Sequence, residues 1–312
     1  MPIKKYFLKQ KVMIRVSFSL TPIMLFAVYL FGWRSFFITL AVLLFGIATE
    51  AHFTVREGKP VTSAILVTCL IYSLSLPPTT PFWIAIIGII TGVTFGKMVF
   101  GGFGQNIYNP AMVGRCFIYI AFPKEMTGSW IEPMWGGAGG FTAWKGTVDA
   151  VTRATPLMQI QSGSLPSVYD LIIGKCSGSM GETSVILILA AGLYLIIKKA
   201  APWRLALSCI SGGLIAAFSL RIFMAGPPIL YTFISGAFLF GSFFIVTEPI
   251  TGPKTTSGQL IYGFIVGGLT VILREYSNFS EGFMFSILLM NAFVPLIDMG
   301  VKQTKQTGQT EK

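Results

Sequence analysis

The stretch Ser184-Val-Ile-Leu-Ile-Leu-Ala-Ala-Gly-Leu-Tyr-Leu-Ile-Ile-Lys198-Lys199 carries no charge from Val185 to Ile197 and then ends on two lysines. A run of that kind, bounded by cations, is what a helix dissolved in lipid requires. Inside a bilayer every backbone polar group must be satisfied internally, so the chain spans as helices or as a closed barrel. A barrel strand would alternate apolar and polar residues; this run does not. Similar runs recur on both sides of it. They predict helices at roughly 16–32, 35–49, 61–76, 82–96, 110–122, 184–198, 203–221, 229–247, 259–274 and 282–298. Several fall short of the ~20 residues of a full span, so broken segments are expected to complete them.

Composition agrees along the whole chain. The 312 residues are 53% hydrophobic and 11% charged, with a mean hydropathy of +0.72; soluble domains carry about 25% charge. The net charge of +11 does not point to nucleic acid, because the basic residues lie mainly at helix ends, where they suit anionic lipid headgroups. Lys4, Lys5, Lys9, Lys11 and Arg15 lead into the first apolar run. This resembles a signal peptide, but no small-residue cleavage site follows, so it reads as a retained first helix. Lys and Arg are denser in the segments 1–15, 56–59, 97, 198–204, 254 and 302–312 than in the alternate ones. The positive-inside rule then puts both termini in the cytoplasm and residues 123–183 outside. Four widely spaced cysteines (Cys69, Cys116, Cys176, Cys209) and one histidine, His52, suit core packing better than an iron–sulfur or multi-histidine metal site.

Residues 63–81, from Ser63-Ala-Ile-Leu to Leu76-Pro-Pro-Thr-Thr-Pro81, are similar to residues 235–253, from Ser235-Gly-Ala-Phe-Leu to Glu248-Pro-Ile-Thr-Gly-Pro253. A glycine-rich helix follows each, with Gly88, Gly92 and Gly96 in one and Gly263, Gly267 and Gly268 in the other. The paired helices are the third and eighth, an odd separation, so the halves would lie inverted in the membrane. Inverted repeats build sites from discontinuous helices; glycine and proline are also simply frequent in membrane helices. The expected organisation is a five-helix repeat at 1–122, an outer loop at 123–183, a second repeat at 184–300 and a tail at 301–312.

Within the loop stands Asp149-Ala-Val-Thr152-Arg153-Ala154-Thr155-Pro156-Leu. Taken by its residues, it is a helix start with threonine as cap and proline in the first turn. It also resembles the flavinylation motif Asp-x-x-Ser/Thr-Gly-Ala-Thr of the RnfD/NqrB family, whose members are membrane components of the Rnf complex and of the sodium-translocating NADH:quinone reductase. Arg153 stands where that motif has glycine, and the close backbone approach that glycine permits must be met differently here. Three further stretches carry the resemblance in the same order: Gly96 to Gly114, Thr247-Glu248-Pro249-Ile-Thr251-Gly-Pro253, and Glu281 to Asp298.

The resemblance implies FMN joined to Thr155 by a phosphoester that a separate flavin transferase installs, with Asp149, Thr152, Arg153 and Ala154 around it. It implies a non-covalent riboflavin near Gly101, Gly102, Gly104, Asn106 and Asn109, an architecture shared with urea channels, and partner subunits holding a second flavin and iron–sulfur clusters. The reaction implied is ferredoxin:NAD⁺ electron transfer linked to Na⁺ or H⁺ movement across a prokaryotic inner membrane. The absence of a long N-terminal extension makes the chain look more like the Rnf member. It has no dinucleotide-binding unit, so NAD would bind a partner, and no residue is assigned as catalytic. Glu248, Glu50 and Asp298, acidic groups near helix ends, are ion-pathway candidates. Arg115, inside a helix, is expected to pair with a carboxylate or to steady an anionic flavin. The alternative is a channel or secondary transporter without a redox role; a third reading is a scaffold.

Overall fold

The computed structural model describes residues 7–128, 130–142, 154–224, 226–277 and 282–310. Fourteen α-helices are defined among them. Five are long and apolar enough to cross a membrane.

Among the described residues the first element is β1 (Phe7–Leu8), which leads into a hairpin of two long helices, α1 (Lys11–Phe31) and α2 (Trp33–Arg56). Gly32, at φ 87°, makes the reversal between them, a conformation that costs glycine nothing. After β2 (Val61–Thr62), which pairs in parallel with β1, the short helix α3 (Ala64–Leu74) is buried on all sides. The chain then turns through 75–81 into α4 (Phe82–Val93), which continues as a π-helical turn at Thr94–Met98. A glycine loop leads to α5 (Pro110–Ala121).

The segment 123–183 folds as short pieces: α6 (Pro123–Thr127), a 3₁₀ turn at Gly139–Thr142, α7 (Pro156–Gln161) and α8 (Val168–Ile173). Part of it lies on the α1–α2 reversal. Met134 N–H donates to Leu30 O at 2.7 Å, Trp33 Nε1 donates to Phe141 O at 2.8 Å, and Phe26, Tyr29 and Trp135 form a ring cluster. Such a cluster suits the lipid–water boundary.

The second half runs α9 (Val185–Ile197), α10 (Trp203–Met224), α11 (Ile229–Ile234), α12 (Phe238–Phe240), a π turn at Gly241–Ile245, α13 (Thr256–Tyr276) and α14 (Gly282–Thr310). The single helix expected at 229–247 is therefore broken: Gly236 at φ 63° interrupts it. α13 packs along α10 and α14, α4 along α5 and α2, and the halves meet where α1 touches α9 and α5 touches α14.

Small residues set these distances. A Cβ on Gly92 would meet Pro110 O and Gly114, and one on Gly267 would meet Cys209 O. The glycine stripes are thus contact surfaces, the close-approach packing that small residues allow between membrane helices.

Both broken segments end on a buried arginine. Arg34 Nε donates to Pro78 O (3.2 Å), and its Nη2 to Thr79 O (3.1 Å) and Thr80 O (2.9 Å). Arg274 Nη1 donates to Thr232 O (3.1 Å) and Ser235 O (3.3 Å). Irregular backbone at membrane depth leaves carbonyls to be satisfied, and these guanidiniums satisfy them.

Candidate functional site

Thr155 sits just before α7 with Pro156 at the first helical position, and its Oγ1 accepts from Met158 N–H at 3.3 Å. The cap reading of the motif is thus met. The same buried residue also lines a narrow cleft of about 30 Å³. Leu157, Leu171, Ile234, Ala237 and Trp130 form its apolar wall, and Ser177, Ser179 and Glu182 its polar wall. An apolar wall facing a polar one is the kind of lining that orients a ligand carrying both sorts of group. Ala154 is exposed beside Thr155, while Asp149, Thr152 and Arg153 lie outside the described residues. Cys176 also lines the cleft. Burial pushes its thiol up to about 12, with Glu182 and Asp170 adding to the effect, so it stands there as a neutral wall group.

The polar wall is tied to the membrane interior. Met180 N–H donates to Leu76 O (3.0 Å) and Gly181 N–H to Leu74 O (2.7 Å), closing the C-terminal end of α3. Arg115, 2% exposed, reaches the same segment from α5. Its Nη1 lies 3.3 Å from Glu182 Oε1 and its Nη2 3.4 Å from Ser179 Oγ. The expected carboxylate partner of Arg115 is therefore Glu182, a residue that sequence reasoning had not singled out. Its signal was faint: a lone acid in a Gly/Ser-rich stretch directly before an apolar run.

At the other end of α5 lies the glycine loop. Gly101, Gly102 and Gly104 have φ values of 104°, 93° and 88°, a region closed to most side chains. Asn106 Nδ2 donates to Tyr108 O at 3.4 Å, and its buried Oδ1 has no hydrogen-bond partner among the described residues. That orphan acceptor fits a hydrogen-bonding ligand such as a flavin. Asn109 caps α5: its Oδ1 accepts from Ala111 N–H and Met112 N–H at 3.0 and 3.2 Å. Its Nδ2 donates to Glu248 Oε2 at 2.8 Å, which Thr251 Oγ1 also reaches at 2.8 Å. The Asn109 amide is thus engaged at both ends and joins the two halves of the chain.

The other acids are placed differently. Glu50, fully buried, lies 2.7 Å from Lys97 Nζ in the π turn after α4. Its other oxygen accepts from Thr62 N–H (3.0 Å) and Thr62 Oγ1 (2.7 Å), which β1–β2 pairing helps to position. π turns of this kind gather at functional sites. Asp298 accepts from Lys254 N–H (3.1 Å), Thr255 N–H (3.2 Å) and Thr255 Oγ1 (2.7 Å), tying α14 to the start of α13. Among the described residues no group of three His, Cys, Asp or Glu could hold a metal ion.

A model of the NQR2, RnfD, RnfE family matches residues 3–307. The chain is 34% identical to the D-type component of an ion-translocating oxidoreductase complex from Stutzerimonas stutzeri, covering 92% of this chain and 89% of that one. It is 34% identical to the D-type component of the Na⁺-translocating ferredoxin:NAD⁺ oxidoreductase complex of Acetobacterium woodii, covering 94% and 89%. It is 35% identical to the B-type component of the Na⁺-translocating NADH-quinone reductase of Chromohalobacter salexigens, covering 80% of this chain and 61% of that one.

Proposed function

Because the chain belongs to the NQR2, RnfD, RnfE family, we propose that it is the flavin-carrying membrane subunit of an Rnf-type ion-translocating oxidoreductase. The observation that carries this reading is the placement of Thr155: the residue matching the flavinylation motif lines a cleft with one polar and one apolar wall. Thr155 would hold FMN through a phosphoester, with Ser177, Ser179, Glu182 and Arg115 on its polar side. When bound, FMN supplies redox chemistry in one- or two-electron steps, and the protein's task is to place and tune it.

The glycine loop is the proposed riboflavin site, with Asn106 as its hydrogen-bonding residue and Gly101, Gly102 and Gly104 leaving room for the ligand. Glu248, Glu50 and Asp298 are the proposed cation-handling carboxylates. Ferredoxin and NAD⁺ would meet other subunits, which hold a second flavin and iron–sulfur clusters, and a flavin transferase would load Thr155. The chain would sit in a prokaryotic inner membrane with both termini inside and the Thr155 segment outside. Two inverted five-helix repeats, arranged as in urea channels, would then relate the halves. The α1–α9 and α5–α14 contacts, which join the first helices of the two halves and their last helices, support that relation.

The test is denaturing electrophoresis of the complex from a host with the flavin transferase, viewed under ultraviolet light. A fluorescent band is expected, lost in Thr155→Ala, with mass spectrometry placing the flavin phosphate on the Thr155 peptide. A dark wild-type band from that host would overturn the reading in favour of a non-redox transporter.

A further inference from the structure

A buried guanidinium paired with a carboxylate at the wall of a cleft sets a local electric field. Arg115 is 2% exposed, and the Glu182 side chain is 8% exposed. Glu182 and Ser179 both line the Thr155 cleft, and both accept hydrogen bonds from Arg115. Backbone bonds from Met180 and Gly181 to the end of α3 fix the segment between them. The pair is therefore held at the cleft wall by α5 on one side and α3 on the other. It is poorly screened, because charges in a low-dielectric interior act over longer distances than in water.

We infer that Arg115 and Glu182 are positioning residues that set, by opposing contributions, the electron affinity of a flavin carried on Thr155 at the mouth of this cleft. The inference rests on the functional reading of Thr155 given above. Full reduction of a flavin takes up two electrons and, near neutral pH, adds negative charge to the ring; in the titration below, dithionite supplies the electrons. A cation nearby favours that product and an anion disfavours it. Arg115 raises the midpoint potential and Glu182 lowers it, and together they nearly cancel.

This predicts effects of opposite sign from one ion pair. Glu182→Gln unmasks the guanidinium and shifts the potential of the Thr155-linked flavin upward. Arg115→Gln unmasks the carboxylate and shifts it downward. The double variant Arg115→Gln/Glu182→Gln returns close to wild type, and Arg115→Lys, which keeps the charge, stays near it. Breaking a buried pair singly is more disruptive than replacing both partners, so the double and the Arg115→Lys variants keep the test readable if a single variant folds poorly.

The experiment is a spectroscopic redox titration of the purified complex, with flavin on the Thr155 peptide checked by mass spectrometry in each variant. Opposite shifts, or a double variant near wild type beside one shifted single variant, support the inference. Shifts of the same sign, or no shift in any loaded variant, overturn it and leave the flavin assignment standing. Absence of flavin from the wild-type Thr155 peptide overturns both.

Discussion

Lys97 and Glu50 meet at 2.7 Å with almost no exposure to solvent, in a part of the chain where an isolated charge has no water to turn to. The pair survives because each charge is met: Glu50 has the ammonium on one oxygen and Thr62 on the other. Its removal is asymmetric in cost. Glu50→Gln leaves a buried ammonium without its counter-charge and should destabilise the protein by about 3–5 kcal/mol. Glu50→Gln with Lys97→Met should recover most of that loss, because no net charge then remains to be buried. Thermal unfolding of the detergent-solubilised protein reads both; equal melting temperatures for the single and double variants would contradict this account. Thr155 illustrates the opposite case, where one residue serves two readings at once. Its hydroxyl caps a short helix and the residue lines a cleft, so a cap signature in the sequence does not argue against a chemical role.

At the scale of elements, the contact between α4 and α5 is the most demanding. Gly88, Gly92 and Gly96 run along α4 and the π turn that extends it, and Gly114 answers from α5, so that a Cβ at Gly114 would meet Gly88 O. Side chains there would push the helices apart rather than fill a space. Gly92→Ala should cost about 1–3 kcal/mol, the usual range for overpacking, and Gly92→Leu should prevent stable folding. The check is the monodisperse yield on gel filtration with the melting temperature. Full stability of Gly92→Leu would show that the helices are free to separate. A matching surface between α10 and α13, built on Gly263 and Gly267, should respond in the same way. These stripes were visible in the sequence as glycine spacing, read there as part of an inverted repeat or as the ordinary glycine of membrane helices. The backbone atoms opposite them decide for contact. The glycines at 101, 102 and 104 are a separate case, since their positive φ values follow from the course of a loop.

For the whole molecule, the expected orientation makes a prediction about sides. Tyr169, 71% exposed, belongs to the segment expected outside, and Lys254 to a loop expected inside. In a variant lacking Cys69, Cys116, Cys176 and Cys209, a cysteine at position 169 should react with a membrane-impermeant maleimide in intact cells. One at position 254 should react only after the membrane is opened. The reverse pattern would put the Thr155 cleft in the cytosol and remove the basis for electron passage toward the outer side. Stability should be distributed unevenly. The helical body is held by buried apolar packing and glycine contacts, whereas the Thr155 segment is tied to it, among the described residues, by separate hydrogen bonds such as those of Met134, Met180, Gly181, Arg115, Gln161 and Tyr231. Hydrogen exchange should accordingly be fastest there, away from those anchors.

The amino-acid sequence by itself determined where the long apolar helices lie, though not the short α6, α7 and α8 of the 123–183 segment, because lipid demands local hydrogen bonding and apolar side chains over each run, and both are written into contiguous residues. It also nominated Thr155, through the resemblance of 149–155 to a flavinylation motif, and the glycine loop, since motif and glycine cluster are both contiguous in the chain. Only the tertiary structure decided which charges meet: Glu182 with Arg115 across 67 positions, Glu50 with Lys97 across 47, and Glu248 with Asn109 across 139. It also decided that the helix expected at 229–247 breaks at Gly236 and that Phe7–Leu8 pairs with Val61–Thr62. The physical reason is the same in each case. A buried charge or a freed carbonyl requires a partner, which makes its presence in the sequence conspicuous, but packing of distant elements chooses the partner.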